Sequence, residues 1–302
     1  MSGTDGSAGA SRIDVDAHYR DALVQLAQSL IDAISTSQAT RDLPSGENGR
    51  KFWASVLLAR LCNVGCSLQR ILPDSLSNKA GRLWDSTSAL SLCRNMFETD
   101  LAMFYLCTDT MTDDDYALRV QLVFLHDSQE RPRILEKLGS APKEAGTEFY
   151  AGEAARLRTE IAKNSVFLAL PEWKQKRLLE GRTPYYLSQD DLLQRQGADA
   201  EKLRGIWELL SSHAHSYPFS YYRVVANPVR GTGRENETDK SYCGLAAQLA
   251  ASMLSNATQS MKKLFSEVSR FPRYIVDWDS LLCTPVKDDA EFVLGMTRPR
   301  VR

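Results

Sequence analysis

Residues 19–35, "YRDALVQLAQSLIDAIS", show how this chain folds. Their apolar side chains recur every three or four positions, at Leu23, Leu26, Ala27, Leu30, Ile31 and Ile34. That spacing places them on one stripe of a helix, because an α-helix completes a turn in about 3.6 residues. The stretch therefore predicts an amphipathic helix that buries one face against its neighbours.

The same period recurs along most of the 302-residue chain. It predicts further helices over about 49–72, 80–108, 112–139, 198–213 and 241–269, with shorter surface helices between about 140 and 200. No alternating strand pattern, internal repeat or glycine-rich nucleotide loop accompanies them. We therefore expect an all-α fold. It is a helical bundle with a disordered tail over 1–11, a helical domain over 12–270 and an irregular C-terminal extension over 271–302.

The composition is that of a globular protein. Hydrophobic residues make up 43% and charged residues 25%, and the formal net charge is −1. No overall field therefore draws the chain to nucleic acid or acidic lipid. No apolar run approaches the ~18 residues of a membrane span, and the N-terminus lacks the basic start and apolar centre of a signal peptide. We expect a cytoplasmic protein that does not contact a membrane.

Three patterns of possible metal ligands each lack a complete set. His213 and His215 diverge by about 200° on an ideal helix, and no nearby Cys, Asp or Glu completes a zinc site if the backbone is extended there. Cys62 and Cys66 share a helix face but have no second pair nearby. The aspartates 113–115 suit the positive end of a helix dipole. We expect neither a metal nor a cofactor.

The stretch "CRNMFETDLAMFYLC", residues 93–107, places Arg94 and Glu98 one turn apart in an otherwise apolar helix. Such a pair stabilises an exposed helix by a few tenths of a kcal/mol. If the neighbouring side chains bury the pair, each charge needs a partner, because an unpaired buried charge costs several kcal/mol. A histidine from another helix is a natural partner.

A longer pattern includes these two residues. Arg94 and Glu98 form R-x-x-x-E, and Ser211 and His215 form S-x-x-x-H at the end of a later helix. This arrangement, over about residues 80–225, resembles a widespread uncharacterised bacterial family of helical proteins. The resemblance implies an all-helical fold, HEPN-like in general style, and brings no established activity.

Two details bear on how the histidines are assigned. Trp207 is the aromatic residue before the serine, while the additional His213 blurs which histidine corresponds to the family pattern. The i, i+4 spacing from the serine favours His215, and His213 is expected at the surface or behind the site. Arg94, Glu98 and His215 are therefore the first candidate catalytic residues. A buried hydrogen-bonding role is the alternative for His215.

An RNase motif is a second hypothesis. HEPN-class nucleases carry an Arg followed, after four to six residues, by a His, and "RVQLVFLH" places Arg119 and His126 within that spacing. Val120 stands where a small polar residue is usual. Neutral imidazole and arginine can serve as base and phosphate stabiliser. Arg119 and His126 are therefore the alternative catalytic pair, and an exposed or capping histidine is the plainer interpretation.

A basic cluster beside an aromatic residue offers a possible RNA contact, since charge and stacking together hold single strands. Its members are Trp173, Lys174, Lys176 and Arg177. Glu172 and Glu180 dilute the charge, so a solvated helix face is the plainer interpretation.

Taken together, these patterns favour an interaction or regulatory module with a buried Arg/Glu/Ser/His network, whose partner is a protein or a second copy of the chain. A metal-independent RNase in phage defence or a toxin–antitoxin pair is the alternative, and RNA is a partner only in that case. A small-molecule or metal-dependent hydrolase that uses Glu98 and the histidines ranks last.

Overall fold

The computed structural model describes residues 14–41, 49–75, 83–139, 144–197, 199–222 and 229–266. The predicted tail 1–11 and the predicted extension 271–302 lie outside these ranges. Within them the chain is helical, and the only β-type pairing is an isolated bridge between Trp84 and Gly233. The predicted all-α fold is confirmed.

The helices follow the hydrophobic period. They are α1 (Val15–Arg41), α2 (Gly49–Ile71), α3 (Ser86–Met103), α4 (Asp113–Lys137), α5 (Glu144–Ile161), α6 (Ser165–Leu168), α7 (Glu172–Leu179), α8 (Gln189–Arg195), α9 (Ala200–Ala214), α10 (Pro218–Tyr221) and α11 (Glu237–Leu264). A π-helical turn, Phe104–Thr108, continues α3. The sequence did not predict α6, α8 and α10 individually, because four to seven residues are too few to show a period.

The core is built by α1, α2, α3 and α11. Helices α1 and α11 run parallel, since Gly244 near the start of α11 lies against Tyr19 near the start of α1. Helix α2 is antiparallel to both, because the Lys51 ammonium near the start of α2 lies 5.0 Å from the ring centroid of Phe265, just after the end of α11. This arrangement buries the apolar stripe of α1 along its length.

Gly65 marks the closest approach of three of these helices. A Cβ atom at this position would lie 2.8 Å from Cδ2 of Leu30 and 3.3 Å from Cδ1 of Leu254. Both leucines are fully buried. The absence of a side chain therefore lets α2 sit deep between α1 and α11.

Most of the remaining helices pack on α4 or α9: α5 and α6 contact α4, and α8 and α10 contact α9. Helix α9 packs along α3 on a face that α2 and α11 leave open, and α4 packs on α5. Among the described helices, none combines the length and apolar character needed to cross a membrane. The contact between α3 and α9 positions the candidate site.

Candidate functional site

A cleft of about 520 Å³ opens beside the contact between α3 and α9. Its polar lining comes from α2, α3, the segment before α8 and the end of α9, and includes Arg60, Arg94, Asn95, Glu98, Tyr185 and His215. The volume falls within the range of small-molecule sites, about 300–1,000 Å³. The three residues that the sequence named first, Arg94, Glu98 and His215, all line this cleft.

Four side chains join α3 to α9 beside the cleft, and we call them the α3–α9 quartet: Arg94, Glu98, Trp207 and Ser211. Of these, Arg94 and Glu98 line the cleft. Nε of Arg94 donates a hydrogen bond to Oγ of Ser211 at 2.9 Å, and Arg94 also forms an ion pair with Glu98. Nε1 of Trp207 donates to Oε1 of Glu98 at 3.3 Å. The Arg94 guanidinium lies 4.8 Å from the Trp207 ring centroid, within the range of a cation–π contact.

The geometry of the quartet follows from helical spacing. Arg94 and Glu98 are one turn apart on α3, and Trp207 and Ser211 are one turn apart on α9. The two helices run in opposite directions, so the first residue of each pair meets the second residue of the other. The side chain of Arg94 is 13% exposed and that of Glu98 is 50% exposed. Three members of the expected Arg/Glu/Ser/His network, Arg94, Glu98 and Ser211, are therefore in contact, and Trp207 takes the place expected for the histidine. Arg94 and Ser211 are largely buried, and Glu98 is half exposed at the cleft.

His215 lies on the rim of the cleft and makes no hydrogen bond to the quartet. Helix α9 ends at this residue in a Schellman motif, in which the backbone N–H of Tyr217 donates to the carbonyl of Ser212 at 2.9 Å. The motif requires a left-handed residue, and Ser216 takes that conformation with φ +51°. The motif turns the chain just after His215 and leaves its imidazole exposed.

His213 occupies the opposite environment. It is buried, its ring packs edge-on against Tyr242 with centroids 5.7 Å apart, and neither ring nitrogen has a hydrogen-bond partner among the described residues. Burial lowers the pKa of His213, and the positive charge of Arg230 lowers it further. Of the two positions expected for His213, at the surface or behind the site, its burial excludes the surface, because residues two apart on a helix face opposite sides and His215 is the exposed one. In the described ranges no group of His, Cys, Asp and Glu is placed to hold a metal ion.

Arg119, from the alternative catalytic pair, is fully buried and bound within the protein. Its Nε donates to Asp115 at 2.9 Å, Nη1 donates to the Tyr105 carbonyl at 2.7 Å, and Nη2 donates to Asp109 at 2.7 Å. The Tyr186 hydroxyl donates to Asp115 at 2.7 Å. We call these five residues the Arg119 cluster. Because every guanidinium nitrogen is engaged, none is left to bind a phosphate.

His126 is likewise engaged in a structural contact. Its Nδ1 donates to the carbonyl of Gly181 at 2.9 Å. Gly181 has φ +71°, a conformation that favours glycine. The contact ties the chain before α8 to α4, and neither His126 nor Arg119 lines the cleft.

The basic cluster lies on α7, away from the cleft lining. Trp173 is 65% exposed, and the Lys174 ammonium lies 5.9 Å from the ring centroid of Tyr186. Lys176 and Arg177 are exposed. An RNA-binding role for the cluster remains a prediction from sequence.

Arg60 and Tyr185 are among the cleft residues that sequence reasoning missed. Arg60 is one of many charged residues on an amphipathic helix, and nothing in its spacing distinguishes it. Tyr185 stands in a short loop where no hydrophobic period applies. Only the packing of α2, α3 and this loop brings the two side chains to one cleft.

Comparison with known proteins identifies the family of the chain and gives no activity. A family model described as a family of unknown function (DUF5677) matches residues 51–231, which include the α3–α9 quartet and His215. No curated protein and no solved structure matches the chain. The match agrees with the expected uncharacterised family but does not support a likeness to HEPN proteins. Because it covers more than half of the sequence, the chain belongs to the DUF5677 family of unknown function.

Proposed function

We propose that this protein is a regulatory module that binds a small anionic ligand in the cleft between α3 and α9. The observation that carries the proposal is the balance of charge on the lining. Arg60 and Arg94 contribute two permanent positive charges, and Glu98 contributes the one carboxylate among the described lining residues. Because Glu98 is already paired with Arg94, the second arginine leaves the cleft with an excess of positive charge.

Arg60 supplies the free charge. It is exposed, and its one hydrogen bond to a described residue reaches Oδ1 of Asn95 at the long distance of 3.5 Å. No carboxylate in the described ranges pairs with it. A ligand with negatively charged oxygens would give this guanidinium the charge-assisted hydrogen bonds that the protein does not provide.

Arg94 supplies a preorganised donor. Ser211 and Glu98 fix two of its nitrogens, and Trp207 supports the guanidinium plane. No hydrogen bond or ion pair joins Nη2 to a described residue, so its N–H groups remain for a ligand. A side chain that is already held loses little conformational entropy when a ligand binds.

The other predicted roles have less support in this geometry. Glu98 is held by Arg94 and Trp207, which suits a residue that orients the arginine. Catalysis by Arg94, Glu98 and His215 remains a prediction. The nuclease alternative finds no support at Arg119 and His126, since both bind other parts of the fold. A protein partner or homodimer also remains a prediction, which light scattering of the purified protein would test.

Isothermal titration calorimetry tests the proposal with inorganic phosphate and succinate as probes, at constant ionic strength. Wild type should bind at least one of them, and Arg60→Met should weaken binding about tenfold or more, as for the loss of a charged hydrogen bond. The matched control is Arg70→Met, because Arg70 is an exposed arginine of the same helix outside the cleft. Failure of wild type to bind either probe, or equal losses in both variants, would contradict the proposal.

A further inference from the structure

We propose that the ligand of the cleft is a small phosphate monoester, and that the Tyr185 hydroxyl donates a hydrogen bond to one of its phosphoryl oxygens. The inference rests on the proposed function and specifies the class of anion. The inference is argued from the positions of three hydrogen-bond donors in the cleft lining. Arg60 belongs to α2, Arg94 to α3, and Tyr185 to the segment before α8.

Three donors from three separate elements suit a tetrahedral oxyanion. A carboxylate is planar and carries two oxygens, so a bidentate arginine satisfies most of it from one side. A phosphate monoester carries three terminal oxygens that point in different directions. It can accept from α2, α3 and the Tyr185 segment at once, and each donor can then meet its own oxygen.

Tyr185 is available as a donor at neutral pH. Its hydroxyl makes no hydrogen bond to the described residues, while its ring rests on Tyr105 with centroids 4.5 Å apart. Burial raises the pKa of Tyr185 to about 12, and the negative charge of Glu98 contributes to the rise. The phenol therefore stays protonated at neutral pH, and its O–H can donate a hydrogen bond to an anion.

The neighbouring residue holds Tyr185 in place. The backbone N–H of Tyr186 donates to the Tyr105 hydroxyl at 3.4 Å. The Tyr186 hydroxyl donates to Asp115 in the Arg119 cluster. On the other side of the loop, His126 holds the carbonyl of Gly181. The Arg119 cluster and His126 thus fix both sides of a short loop that presents Tyr185 to the cleft, and Tyr186 is a positioning residue.

Calorimetry with inorganic phosphate, glycerol 3-phosphate and succinate tests the inference on the full chain. We expect the two phosphates to bind more tightly than succinate, and Tyr185→Phe to weaken phosphate binding about tenfold or more. Tyr222→Phe is the matched control, because Tyr222, just after α10, is 71% exposed and does not line the cleft. Circular dichroism of each variant checks that the fold is intact.

Tyr186→Phe separates positioning from a merely structural effect. Alone it should weaken phosphate binding a few-fold, and in a Tyr185→Phe background it should have no further effect, because it acts through Tyr185. An equal loss in both backgrounds would contradict the positioning role.

The outcomes distinguish this inference from the proposed function. If wild type binds succinate as tightly as phosphate, or if Tyr185→Phe binds phosphate like wild type, the phosphate assignment fails while the anion-binding cleft stands. Absence of binding by every probe overturns both. Tighter binding of a phosphoserine peptide than of glycerol 3-phosphate would overturn the small-ligand assignment.

Discussion

Replacing Arg119 with methionine should destabilise the fold severely. The side chain is fully buried and donates to Asp109, Asp115 and the Tyr105 carbonyl. Methionine keeps the apolar part of the side chain but lacks the guanidinium and donates no hydrogen bond. The variant therefore leaves two carboxylates in the interior without their main counter-charge.

The size of the effect follows from burial. The side chains of Asp109 and Asp115 are only 6% and 12% exposed, so water cannot replace the guanidinium. Removing one partner of such a buried pair costs about 3–5 kcal/mol. Arg195 still reaches Asp109 at 3.1 Å and the Tyr186 hydroxyl still reaches Asp115, which favours the lower end of that range.

Helix α4 contains its own control. Arg131 pairs with Asp127 at the same i, i+4 spacing, but both side chains are about half exposed, at 51% and 48%. Arg131→Met should therefore cost less than about 1 kcal/mol. Urea denaturation followed by circular dichroism measures both variants. Comparable losses of unfolding free energy at the two sites would refute the argument from burial.

Three further predictions follow from single residues. Ser216→Gly should raise the free energy of unfolding by about 1 kcal/mol, because φ +51° costs a residue with a Cβ atom, and an unchanged urea midpoint would contradict this. Burial raises the pKa of Asp100 to about 7, so the folded state holds a proton that the unfolded chain releases near pH 4. The free energy of unfolding should therefore decrease as the pH rises from about 4 to about 7. Asp100→Asn should flatten that part of the pH profile of the unfolding midpoint. Gly181→Ala should lower the free energy of unfolding by more than about 1 kcal/mol, because φ is +71° and the new Cβ would lie 2.8 Å from Cγ of Gln129. Gly152→Ala, in open space on α5, should raise it by about 0.5–1 kcal/mol in the same denaturation assay.

Part of the candidate site could be predicted from the sequence. The pairs Arg94/Glu98 and Ser211/His215 stood out because one helical turn separates their members, and this local rule holds without knowledge of the fold. Of these four residues, Arg94, Glu98 and Ser211 meet across α3 and α9, while His215 makes no hydrogen bond to them. Burial could not be predicted in the same way. His213 was expected either at the surface or behind the site, and only the structure shows that it is buried, because burial depends on which neighbours cover that helix face.

The sequence by itself determined the all-α class and the approximate positions of the long helices, because a period of 3.6 residues is a property of the chain alone. It also identified the charged pairs that helical spacing brings together. Only the tertiary structure decided that Arg119 is an internal anchor, that Arg60 and Tyr185 face the same cleft as Arg94, and that this cleft is open. These are contacts between residues far apart in the sequence, and they depend on how helices pack. Many packings satisfy the same hydrophobic stripe, so the stripe alone does not select one.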